Sequence, residues 1–173
     1  MKSVTILLCC VLAAGAANAQ SVASSASQPE QSRILAAPSP GASNVEVADF
    51  FAACASANAD EVLNKKILSD NGALSNADTS ANTQEAKYYF VSAAAYSTKD
   101  YAKNKFTELR NASMERVQGK ISGGNLLAVI KEEMNYDESQ IALCTFYVGK
   151  DNAKITAHVK QSGVLNAGPT KPN

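Results

Sequence analysis

Two cysteines, one histidine and a few clustered carboxylates are the residues of this chain that could do chemistry. Of its 4 cysteines, Cys9 and Cys10 fall in an N-terminal apolar run, which leaves Cys54 and Cys144. An even pair of thiols in an exported chain usually closes a disulfide. Catalytic redox pairs sit at close spacing such as C-x-x-C, and these two stand far apart. A structural staple between Cys54 and Cys144 is therefore expected.

His158 is the single histidine. A site built from two or three histidines of one chain is excluded, and a nucleophile–base triad would have to use His158 itself. No G-x-S-x-G elbow occurs, and two distant thiols lack zinc-finger spacing. Glu132-Glu133 and Asp137-Glu138 are the densest carboxylates. Neighbours on a helix point apart, so they do not form a preset acid–base pair, and solvated charge is expected. Their spacing does not fit an EF-hand loop. Gly123-Gly124 lacks the phosphate-loop lysine and the dinucleotide spacing. No catalytic residue, metal or cofactor is assigned. A small secreted enzyme using carboxylates or hydroxyls remains the alternative reading.

The first element that bears on all of this is the leader. Lys2, an apolar run over residues 4–14 and then Ala17-Asn18-Ala19 have the form of a secretory signal peptide with cleavage after Ala19. The run is too short to span a bilayer, and no small residue precedes Cys9 or Cys10 to support lipidation. The whole chain has 16 basic and 16 acidic residues. Loss of Lys2 leaves one net negative charge, which suggests neither nucleic acid nor an anionic membrane as a partner, and no later segment is long and apolar enough for insertion into a membrane.

Four segments follow from composition: a signal peptide at 1–19, a disordered Ser/Ala/Pro-rich linker at 20–43, one globular domain at 44–163 and a loose tail at 164–173. Ile34-Leu35 is the linker's only apolar pair. Within the domain, Asn44 is expected to cap a helix over 45–57, and Asn58 a second over 59–68, closed by Asn71-Gly72. Asn82 with Glu85 resembles a capping box. Residues 88–91 could form a strand, but the alanines at 93–95 favour helix. Thr98 is expected to cap a helix over 99–117, whose basic edge, Lys99, Lys103 and Arg110, would meet the acidic segment 131–138. That helix contains the glycosylation sequon Asn111-Ala112-Ser113, where occupancy is not expected. A short helix over 126–134 and a turn at 135–139 lead into residues 140–161.

The last stretch reads as two β-type runs about a turn at Gly149-Lys150-Asp151-Asn152. Ile155, Ala157 and Val159 alternate with Lys154, Thr156, His158 and Lys160, which suggests a half-buried strand. The fold class expected is α+β: four or five short helices followed by a C-terminal antiparallel β-hairpin, with one disulfide. The expected core is Val47, Phe50, Phe51, Leu63, Ile67, Phe90, Phe106, Leu109, Leu127, Ile130, Leu143, Phe146, Ile155 and Val159.

Absence of a catalytic motif favours an exported, non-catalytic binding module of an inhibitor, immunity or accessory type. Its partner would be another protein. The candidate recognition surface is the solvated face Lys154, Thr156, His158 and Lys160 with the tip Lys150-Asp151, whose lysines would suit an acidic partner.

Overall fold

The computed structural model describes residues 33–75 and 77–166. The leader, most of the linker and the end of the tail lie outside the described residues. Ser43 opens the first helix, α1 (Asn44–Asp70), through a capping box: its hydroxyl accepts the Glu46 amide at 3.3 Å, and Glu46 accepts the Ser43 amide at 2.8 Å. Ser43, not Asn44, is therefore the cap. The helix runs straight through Asn58, because that side chain is fully buried and donates back to the Cys54 carbonyl at 3.0 Å. It is used inside a helix and does not start one. Gly72, with φ +69°, turns the chain out of α1.

From Val47 to Asn58 nearly every α1 residue is buried, since a run of Ala, Ser and Cys lets neighbours approach closely from all sides. The helix is the centre of the molecule and touches all three others. These are α2 (Ser80–Tyr96), α3 (Lys99–Ile121) and α4 (Leu126–Gln161), followed by a 3₁₀ turn at Val164–Asn166. Residues 88–91 are helical within α2. Asn82 is not its cap; it lies inside the first turn, where it takes Lys65 Nζ at 3.0 Å and donates to Asn58 at 3.1 Å. Thr98 does cap α3, accepting the Tyr101 amide at 3.1 Å.

The α+β expectation is overturned. Among the described residues there is no strand, and the stretch assigned to a short helix, a turn and a hairpin is one helix of 36 residues. Its buried positions, Val129, Ile130, Glu133, Gln140, Cys144, Ile155 and Val159, recur at helical intervals of three and four. Two of those inward positions are Glu and Gln, so a count of apolar residues loses the stripe. The alternation at 155–159 is not realised either: Ile155 and Val159 are buried, while Ala157 between them is exposed. The Gly149-Lys150-Asp151-Asn152 breaker produces a kink, with Asp151 at φ −123° and ψ 20°, instead of a turn.

Phe50, Phe51, Tyr89, Ala93 and Ala102 form the core with Cys54, Cys144, Ile155 and Val159. Leu63 and Phe146, both expected there, are exposed, Phe146 by 63%. The Cys54 and Cys144 sulfurs are bonded at 2.03 Å, joining the middle of α1 to the middle of α4. Residues 33–43 lie along α4: Leu35 donates to Gln140 Oε1 at 2.7 Å and accepts from its Nε2 at 3.2 Å. No described helix is long and apolar enough to cross a membrane.

Candidate functional site

Two places gather polar chemistry. The first is a buried charged cluster between α1, α3, α4 and the N-terminal segment. Positions 56, 60 and 64 of α1 lie one above another and carry Ser56, Asp60 and Asn64. Facing them are Glu133, Asp137 and Gln140 of α4 and Arg110, Ser113 and Arg116 of α3. Asp60 pairs with Arg110 at 3.0 Å. Glu133 pairs with Arg33 and accepts Lys120 Nζ at 3.3 Å. Arg33 also stands 4.1 Å over the Tyr136 ring. Asn64 donates to Asp137 at 3.0 Å. Lys65 reaches one oxygen of Glu61 at 3.1 Å, and the other oxygen of that buried carboxylate has no hydrogen-bond partner.

These surroundings split the carboxylates. Burial pushes Asp137 up to about 8, helped by the charges of Asp60, Glu61 and Glu133 and opposed by Arg116. Burial also raises Asp60 to about 6 against the pull of Arg110. Burial alone would raise Glu133 too, but its bonds and attraction to Arg33 and Lys120 outweigh that and hold it below the ordinary value. Such divergence is a mark of acid–base sites and of structural ion-pair networks alike. The space among these side chains is small. It measures about 80 Å³, against roughly 300–1,000 Å³ for pockets that take small molecules. The cluster's ion pairs and hydrogen bonds fasten four parts of the chain together.

The second place is an open groove of about 460 Å³ between residues 37–42 and the C-terminal half of α4. One wall is Ala37-Pro38-Ser39-Pro40-Gly41-Ala42. The other carries Phe146, Lys150, Asp151, Lys154 and His158, with Tyr96 and Tyr147 below. The floor is rigid because it continues into the core. Tyr147 meets Phe50 edge-on at 5.0 Å, and Tyr96 lies against Phe51 at 5.7 Å. Burial first, with the Asp151 charge adding to it, raises the Tyr147 phenol. Lys150 Nζ lies 4.9 Å from the centre of the exposed Phe146 ring.

The structure divides the six residues expected to form one surface. Lys150, Asp151, Lys154 and His158 share the groove, whereas Thr156 and Lys160 border a separate apolar depression with Tyr88, Val91, Val159 and Leu165. On a helix, positions 156 and 160 point away from 150, 154 and 158, while on a strand 154, 156, 158 and 160 would share a face. His158 is half-buried, not a free surface side chain. Its ring stacks on Tyr96 at 3.9 Å, and Nε2 lies 3.1 Å from the Ala95 carbonyl. Sequence reasoning missed Phe146 and Tyr147 as groove residues because both fall in a stretch that reads as a β-type run, with Phe146 expected in the core. It missed the 37–42 wall because Pro and Gly there read as linker.

No family model matches the chain, and no curated protein or solved structure matches it significantly.

Proposed function

We propose that this chain is an exported, non-catalytic protein-binding module that recognises its partner through the groove on the C-terminal half of α4. The supporting observation is the contrast between the two polar places. The converging carboxylates leave a space of only about 80 Å³, and Asp60, Glu61 and Glu133 are tied into ion pairs. The groove is larger, about 460 Å³, is floored by packed aromatic rings and holds the exposed Phe146, the most solvent-accessible aromatic of the described residues. Exposed aromatics beside cations are typical anchors of protein interfaces. An inhibitor, immunity or accessory role would each use such a surface.

The test uses the exported chain as bait on the native exported fraction. A retained protein should be lost with Phe146→Asp, at unchanged helicity and melting temperature. Equal retention by the variant contradicts the reading. Export carries its own expectation, drawn from Lys2, the apolar run and Ala17-Asn18-Ala19. The intact mass of the exported protein should correspond to a chain beginning at Gln20, and a mature form that keeps Cys9 or Cys10 contradicts it.

A further inference from the structure

We propose that the groove takes an extended acidic segment of a partner protein, with two carboxylates spaced one residue apart and an apolar side chain between them. This rests on the binding-module reading and specifies what the groove would hold. The two walls differ in kind. Residues 37–42 carry no ionisable group, and Pro38 and Pro40 have no backbone N–H to offer. The Ala42 amide is already used on the Ser39 carbonyl at 3.0 Å. That wall is uncharged and is apolar at Ala37, Pro38 and Pro40. The α4 wall presents Lys150 and Lys154, and neither has a carboxylate partner among the described residues. Asp151 lies between them, so the groove keeps one net positive charge from these three.

Spacing narrows the occupant. Lys150 and Lys154 stand four residues apart on either side of the kink at Asp151, where a helical rise would place them on the order of 6 Å apart along the axis. In an extended segment, side chains i and i+2 point the same way and stand roughly 6.5 Å apart. Two acidic residues separated by one position therefore match the two lysines. The residue between them faces the other way, toward Pro38 and Pro40. A helical occupant would put its matching carboxylates at i and i+4, so it would not prefer Glu-Leu-Glu over Glu-Glu-Leu.

The experiment is a titration of the ¹⁵N-labelled exported chain, followed by NMR. The probes are three synthetic hexapeptides centred on Glu-Leu-Glu, on Gln-Leu-Gln and on the adjacent-acid isomer Glu-Glu-Leu. Amide shifts should map to residues 37–42 and 146–158. Glu-Leu-Glu should bind about tenfold more tightly than Gln-Leu-Gln, as two rim ion pairs would supply, and more tightly than the isomer. The Lys150→Gln/Lys154→Gln variant, folded by circular dichroism, should erase both differences. Equal binding of all three peptides in the groove overturns the acidic occupant and leaves the groove as a binding site. Shifts that map elsewhere overturn both readings. Binding to phosphatidylglycerol vesicles that Glu-Leu-Glu does not displace also overturns the proposal, because it assigns the lysines to a membrane surface.

Discussion

At about pH 8.5, Asp137→Asn should be more stable than the unsubstituted chain by roughly 2–4 kcal/mol, and near pH 4 the two should be almost equal. Asp137 has a folded value of about 8 against an ordinary 3.8. Its proton binds the folded state more tightly, so the stability it contributes is fully present below about pH 4. That stability is lost as pH rises through about 8. Asp60, raised to about 6, acts with the same sign. Glu133, held below its ordinary value by Arg33 and Lys120, acts oppositely, and its contribution is lost as the solution becomes strongly acidic. Stability should therefore peak on the mildly acid side. Asparagine keeps the size of Asp137 and can still meet Asn64, but it carries no charge toward Asp60, Glu61 and Glu133. Urea unfolding at both pH values measures this. A substitution without effect at alkaline pH contradicts it, as does an unsubstituted chain that gains stability between pH 5.5 and 8.5.

Removal of the Cys54–Cys144 link should cost more than any single surface substitution. The bond joins residues separated by 90 positions. Loop closure of that size is worth roughly 4–5 kcal/mol in the unfolded chain, less any strain. Both cysteines are fully buried, so Cys54→Ala/Cys144→Ala also loses two packed sulfurs. The double variant and the reduced protein should unfold at clearly lower denaturant than the oxidised protein. Adding reductant should leave the double variant unchanged. Equal midpoints with and without reductant for the unsubstituted chain contradict the link.

The helices at 80–96 and 99–121 were largely legible because their signals are local: the alanines at 93–95, the Thr98 cap and an apolar stripe through Ala102 and Phe106. The long fourth helix was not. Its inward face alternates Ile130 and Cys144 with Glu133 and Gln140, and those polar residues are buried only because Arg33, Lys120 and the Leu35 backbone lie opposite. Arg33 and Leu35 lie 100 and 105 residues from the side chains they meet, and no local window of sequence contains them. Gly149 and Asn152 suggest a turn locally, yet tertiary packing of Cys144 and Ile155 against α1 carries the helix across them with a kink. The groove was half legible. The charges of Lys150 and Lys154 were visible, but the helix turns Thr156 and Lys160 away and brings Phe146 in.

The most direct test of the α4 groove is amide hydrogen exchange of the protein, alone and with any partner recovered on it. Protection should rise at residues 37–42 and 146–158. It should stay unchanged along the outer face of α3, around Lys103 and Glu115. Protection that rises on α3 and leaves 146–158 unaltered would contradict recognition through α4.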